Sequence, residues 1–370
     1  MFMRRPRPLY YFLKRYAYVT SHLFYRKFTI SGLENVPDKG PVIFVPNHQN
    51  AFMDAVVIAV TSKRKPWFLT RASIFVTATA RYWLSSLRMI PIYRFRDGLQ
   101  NVKRNDQTME IVLDLLKKNE TILIFAEGNH DRKWSLRPLQ KGLARISFAH
   151  ESARKTNPGL TIIPVGLQYE DHMRFRSDLL LTYGKPIYAA DFMPQYQVDP
   201  IHATNSLLEE VRKGLSSLII DIQDLEHYEP IKKAIVNRPH REEDLGARLK
   251  GDQEVVSSGN FSSHQPHQPK AGKLFTIFGF PFFLYGAINH LLIYWGIKLI
   301  LSKYIKDDHW TASIKFAGMI ILSPLIYTLQ SLILWHYFPD WVCLIAYVLS
   351  LPISGVIAGN YRARVLLHRK

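Results

Sequence analysis

Three long apolar stretches close the chain, at 274–301, 316–338 and 341–360. Each is about long enough to cross a bilayer core, which takes roughly 20 residues. A backbone in hydrocarbon must satisfy its own polar groups, so these stretches are read as helices. Lys270 and Lys273 precede the first, Lys298, Lys303, Lys306 and Lys315 surround the following loop, and Arg362, Arg364, Arg369 and Lys370 follow the third. Only the turn Phe338-Pro339-Asp340-Trp341 lacks positive charge. If basic residues stay inside, the second and third stretches form a hairpin with that turn outside, and the first enters and leaves on one face. Its Pro281, Gly286, Asn289 and His290 suit a re-entrant or interfacial helix. Three full spans are the alternative.

The rest of the chain divides by composition. The protein carries 48 Lys+Arg against 30 Asp+Glu, a formal charge of +18, and the excess falls on both sides of the boundary with the apolar segments. Residues 1–27 combine Arg4, Arg5, Arg7, Lys14, Arg15, Arg26 and Lys27 with Leu9, Tyr10, Tyr11, Phe12, Tyr16, Tyr18, Leu23 and Phe24 and contain no acid. They read as a basic amphipathic helix lying on a membrane, where each basic residue near anionic lipid is worth about 1 kcal/mol. A secretory signal is not expected, because no unbroken apolar core leads to a small-residue cleavage site. Nucleic acid is not an expected partner, since zinc spacings and aromatic RNA-binding strands are missing. The single cysteine, Cys343, excludes an internal disulfide. Residues 197–235 read as helical, with Leu207, Leu208, Val211, Leu215, Leu218 and Ile219 spaced for one face. Residues 236–273 turn polar and are rich in Ser, His, Gln and Pro, so they read as a flexible linker.

Between residues 28 and 235 the pattern is that of an α/β domain. Pro41-Val42-Ile43-Phe44-Val45 reads as a buried strand. It delivers His48 to its carboxyl end, where open α/β sheets hold their sites. Ala51 to Thr61 is helix-compatible, which puts Asp54 in the first turns of a helix and His48 on the loop before it. Six residues on one regular helix would leave the two side chains on different faces, so a loop-to-helix bend has to bring them together. An Asp that accepts from one imidazole nitrogen supports the charge formed when the other takes a proton. A buried histidine satisfied by a carboxylate fits the same residues. Further strands are expected at Leu87 to Arg94, ending in a cation, at Thr121 to Phe125, running into Glu127-Gly128, and at Thr161 to Gly166, broken by Pro164. His130 and His150 read as solvated.

These four segments, in this order, resemble the sequence blocks of the glycerolipid acyltransferase family over roughly residues 28–190. The resemblance implies an acyltransferase sheet with flanking helices. In it His48 is the base for the acceptor hydroxyl, Asp54 orients that base, and Arg94 holds the acceptor phosphate. Glu127 and Gly128 would line the acceptor site, and Pro164 would shape the acyl-donor pocket. Two departures stand out. Five residues separate His48 from Asp54 where four are usual, which resembles the fungal-type glycerol-3-phosphate acyltransferases. The third block has Ala126 for its proline and Asn129-His130 for its threonine and arginine. Arg132, Arg137 or Lys133 would then supply the missing cation, the two arginines ranking first for bidentate phosphate binding.

The expected architecture is a basic interfacial helix at 1–27, an acyltransferase domain at 28–235, a flexible linker at 236–273 and a membrane anchor at 274–370 with two or three transmembrane or re-entrant helices. The domain would sit on the cytoplasmic face and transfer a fatty acyl group from acyl-CoA or acyl-carrier protein to glycerol 3-phosphate. No metal or cofactor beyond that co-substrate is expected, and membrane lipids are the expected partners. Acylation of 1-acylglycerol 3-phosphate or of a lyso-aminolipid is the alternative within enzymes, and an inactive lipid-binding tether the alternative outside them.

Overall fold

The computed structural model describes residues 8–93, 105–154, 158–239, 241–259, 272–304 and 310–366. Arg94, the basic residues Arg4, Arg5 and Arg7, and the linker segment 260–271 lie outside them.

The strands are β1 (Lys27–Ser31), β2 (Val42–Pro46), β3 (Pro66–Arg71), β4 (Met89–Ile92), β5 (Thr121–Leu123), β6 (Thr161–Tyr169), β7 (Asp178–Tyr183) and β8 (Ile187–Tyr188). They form one sheet in the order β1-β7-β6-β2-β5-β3-β4, with β8 also on β6. From β6 to β4 every neighbouring pair is parallel, whereas β7 and β8 run antiparallel to β6. β2 is the switch point. The chain leaves it toward β3 on one side, while its other neighbour, β6, is reached only after β5. In such sheets ligands bind outside the carboxyl ends of the strands at the switch point.

The domain helices are α1 (Pro8–Phe24), α2 (Ala51–Thr61), α3 (Ala78–Ser86), α4 (Asn105–Lys117), α5 (Gly142–Ala153), α6 (Met193–Val198), α7 (Pro200–Ser216), α8 (Tyr228–Val236) and α9 (Leu245–Ser258). Side chains alternate across a strand, so β2 serves two cores. Ile43 and Val45 pack with Val112 and Leu116 of α4, Leu143 and Phe148 of α5, and Leu207 and Val211 of α7. Val42 and Phe44 pack on the other face with Phe24, with Met53 and Val57 of α2, and with Phe316. Parallel strands buried on both faces explain the unbroken apolar runs of β2 and β6.

Several expectations need correction. The helix read over 197–235 is broken between α7 and α8. The apolar periodicity ran on because Leu215 and Ile219 stay in one core while Ile220 and Ile222 enter another. The linker of 236–273 contains α9, whose Leu245 and Leu249 are buried with Trp134 and Tyr228. Several of its charges are paired rather than solvated. Asp252 accepts from Arg238 Nε at 3.0 Å and Arg241 Nη2 at 2.7 Å, and Arg248 Nη1 reaches Asp178 Oδ2 at 3.0 Å. Polar composition argues for disorder only when charges lack partners. α1 is not simply a surface helix either. Tyr11, Phe12, Tyr18 and Val19 face outward, but Tyr10, Thr20, Ser21 and Phe24 are buried.

The apolar stretches form α10 (Lys273–Asn289), α11 (Leu291–Tyr304), α12 (Thr311–Tyr337) and α13 (Trp341–Tyr361). Among the described residues α12 and α13, the latter with its extension to Leu366, are long and apolar enough to cross a membrane. The pair α10 and α11, with axes 60° apart, would make a third only if counted as one span. The two hairpins are in register. Tyr361 Oη donates to Thr276 O and Tyr347 Oη to Asn289 Oδ1, so α10 runs antiparallel to α13. Gln330 Nε2 donates to Asn289 O, His290 Nε2 pairs with Tyr327 Oη at 2.7 Å, and Gly318 sits against Ile297, so α11 runs back antiparallel to α12. The start of α12 belongs to the domain: Ala312 and Phe316 are buried in its core, and Tyr16 Oη donates to Ile320 O. The end of α13 returns there too, where Arg176 Nε donates to Asn360 Oδ1 at 2.9 Å.

Candidate active site

The carboxyl ends of β2, β5 and β6 meet around His48. Asn47, just past β2, is clamped to β6 by a reciprocal pair: its Nδ2 donates to Leu167 O at 3.1 Å, and Leu167 N donates to its Oδ1 at 2.7 Å. The chain then turns into α2 through Ala51, whose φ of 44° is left-handed. That conformation costs an alanine on the order of 1–2 kcal/mol, and it shapes the bend needed to aim the first turn of α2 back at the loop.

Asp54 is fully buried and its carboxylate gathers that bend. Oδ2 accepts from His48 Nδ1 at 2.9 Å, Gln49 N at 2.9 Å and Asn50 N at 2.8 Å, and Oδ1 accepts from Tyr169 Oη at 2.7 Å. A carboxylate so placed also sits at the positive end of the helix dipole. The His48 ring is held on one face by Phe125, stacked at 3.8 Å with 19° between planes. With Nδ1 committed to Asp54, the nitrogen left for a reacting group is Nε2.

Glu127, after β5, is a brace. Oε1 accepts from His48 N at 2.7 Å and Oε2 from Arg137 N and Nε at 3.3 Å each. Burial raises its pKa above the usual glutamate value, an effect opposed by those donors and by the Arg137 charge. Gly128 takes φ 75° in the turn that closes with Gly128 N donating to Phe125 O, and a Cβ there would stand 3.2 Å from Gln140 Cγ. The turn demands a residue at ease with positive φ. Gln49 adds a third strut, its Nε2 donating to Lys133 O and its Oε1 paired with His172 Nε2 at 3.1 Å. Burial pushes the His172 pKa down to about 4, so its ring stays neutral.

The structure therefore gathers His48, Asp54, Glu127, Gly128 and Arg137. Arg132 lies at the rim, with Nη1 on Met173 Sδ at 2.8 Å. Arg137 spends Nε on Glu127 and keeps Nη2 buried without a hydrogen-bond partner among the described residues. Pro164 is not with the others. It is buried in the middle of β6, where Cβ atoms built on Gly184 and Gly214 would meet it, and so acts as a packing point against α7. Two histidines depart from expectation. His150 is buried on α5, and His130 stands 5.4 Å from the His48 ring, edge to face at 76°. Tyr169 was missed, because a phenol inside an apolar strand reads as core.

The family model described as Acyltransferase matches residues 27–168, a stretch that begins with β1 and runs through His48, Glu127 and most of β6. Residues 27–168 are an acyltransferase-family domain. A chloroplastic 1-acyl-sn-glycerol-3-phosphate acyltransferase of Brassica napus is 28% identical over 202 residues, covering 51% of this chain and 54% of that protein. Glycerol-3-phosphate O-acyltransferase 2 of Saccharomyces cerevisiae is 25% identical over 300 residues, covering 64% of this chain and 40% of that protein. A chloroplastic 1-acyl-sn-glycerol-3-phosphate acyltransferase of Arabidopsis thaliana is 29% identical over 161 residues, covering 43% and 40%. The chain spans about half or less of the length of these relatives. Both kinds of acceptor thus occur in the names of similar proteins.

Proposed function

We propose that the protein is a membrane-bound acyltransferase that moves a fatty acyl group from a thioester, acyl-CoA or acyl-carrier protein, to a hydroxyl of glycerol 3-phosphate. The observation that carries the reading is the His48 Nδ1 to Asp54 Oδ2 bond at 2.9 Å on a ring fixed by Phe125. His48 Nε2 takes the proton of the acceptor hydroxyl as its oxygen attacks the thioester carbonyl. The C–S bond then breaks and the proton passes to the departing thiolate. Positioned proton transfer of this kind contributes roughly 10²–10⁴-fold. Glu127 acts as a positioning residue through His48 N and Arg137, and Arg137, Arg132 and Arg94 are the cations offered to the phosphate.

The acceptor is argued from the five residues between His48 and Asp54, the interval that resembles the fungal-type enzymes, and from the 300-residue match to a yeast protein of that name. The chloroplast relatives favour the second reading, 1-acylglycerol 3-phosphate as acceptor. A cytoplasmic location for the domain is supported by the basic flanks of the apolar helices. The test is purified full-length protein with a labelled acyl donor and a panel of acceptors, products identified by mass spectrometry. Lysophosphatidate as the product from glycerol 3-phosphate is expected. Product only from monoacyl acceptors replaces the first reading by the second, and turnover by His48→Ala at the normal rate overturns the mechanism.

A further inference from the structure

The neighbour of the His48 ring is itself in contact with a residue from outside the stretch that matches the family. His130 lies edge to face on His48 at 5.4 Å, and beyond it Trp310 lies edge to face on His130 at 6.1 Å with 80° between planes. Trp310 is the residue from which α12, the first membrane helix of the hairpin, begins. The Arg71 guanidinium, from the carboxyl end of β3, lies 5.7 Å from the same indole ring.

That position is anchored. One turn along, Ala312, Ser313 and Phe316 are buried, and Phe316 meets Phe24 at 5.6 Å. Lys315 Nζ donates to Met173 O at 2.8 Å, in the β6–β7 loop whose His172 O accepts from Asn50 Nδ2. The start of α12 is thus tied to the same loop that borders the His48 turn. On the other side, Asp131 N donates to His48 O at 3.0 Å, which fixes the backbone next to His130.

We infer that the membrane hairpin forms a wall of the active site: Trp310 is a positioning residue that holds the His130 imidazole beside the base, where His130 meets the acceptor. Phe125 covers one face of the His48 ring, Asp54 occupies Nδ1, and His130 lies edge to face on the same ring. The two rings then wall the path by which the acceptor reaches the base. The inference rests on the acyl-transfer reading for its consequence, but its geometry can be read without turnover.

The experiment uses the full chain in lipid–detergent micelles with Trp310→Ala, His130→Ala and the double variant. Each single change is expected to raise the acceptor KM about threefold to tenfold and to leave the acyl-donor KM in place. The double variant is expected to be no worse than the poorer single, because the two residues act as one unit. Additive losses, or equal effects on both substrates, overturn the inference. Trp310→Phe keeps an aromatic edge and is expected to recover most of the loss; failure to recover with a wild-type melting temperature also overturns it. Ring-proton resonances of labelled histidine supply the readout that needs no activity. Trp310→Ala should shift the His130 signals and leave His227 unmoved, and unshifted His130 signals sink the placement. If wild-type protein transfers no acyl group while His130 shifts, the proposed function falls and the wall stands.

Discussion

Replacing Asp54 by Asn isolates the charge of the buried carboxylate from its shape. The amide oxygen can take the place of Oδ2 and accept from His48 Nδ1, Gln49 N and Asn50 N, while the amide nitrogen faces Tyr169 Oη, which turns to accept. Every partner is kept, so the fold should survive. Weakened charge-assisted bonds are offset by the lower cost of burying a neutral amide, leaving a net change within about 2 kcal/mol. That is a melting shift of less than roughly 8 °C for a domain of this size. The rate tells a different story. With Nδ1 and Oδ2 2.9 Å apart, the centres of an imidazolium and a carboxylate lie about 4 Å apart, worth about 4 kcal/mol at an effective dielectric of about 20. Losing that support for the charged base slows the chemical step about 10³-fold. The assay is the initial rate at saturating acceptor and donor, beside a circular-dichroism melt of the same preparation. A folded Asp54→Asn protein with kcat within tenfold of wild type would refute the orienting role.

Burial raises the Glu127 pKa, so the native state holds that proton more tightly than the unfolded chain does. Its contribution to stability then falls as pH rises from the free carboxylate value, about 4.3, through the raised one; melts of Glu127→Gln across that range should lack this slope. Glu127→Gln removes the charge that braces Arg137 and should lower the rate at neutral pH, an unchanged rate counting against the brace. Arg94→Ala should raise the KM for the phosphorylated acceptor and spare that for the acyl donor, and an unchanged acceptor KM removes Arg94 from that role. The register of α10 to α13 brings the ends of both hairpins to the domain side, so a reporter fused after Lys370 should lie on the same side as the domain. A reporter found across the membrane would establish three spans.

What could be read from the chain depended on whether a residue's role is local. β2 and β6 announce themselves because strands buried on both faces need uninterrupted apolar residues, and His48 with Asp54 is legible because both lie on one strand–loop–helix passage. Glu127 followed for the same reason. Tyr169 was hidden because its hydroxyl matters only through Asp54, 115 positions away in sequence, and its strand context is that of any core aromatic. α9 was hidden because its charges find partners on β7 and on the loops after α8 and β6, which composition does not register. His130 read as solvated because nothing near it in sequence hints at Trp310. Pro164 was legible as a strand residue, but its neighbours, Gly184 and Gly214, come from turns and helices further on.

The seat of Phe316 beside Phe24 also bears on how this protein comes apart. A membrane anchor joined only by a flexible segment would melt separately from its catalytic domain and could be exchanged for another. Here the first turns of α12 fill the same apolar core as α2, which carries Asp54. Removing them would strip a face from that core and leave Phe24, Met53 and Val57 open to water. Domain and anchor should therefore unfold in one cooperative step, and over evolutionary time the two would have to be inherited together.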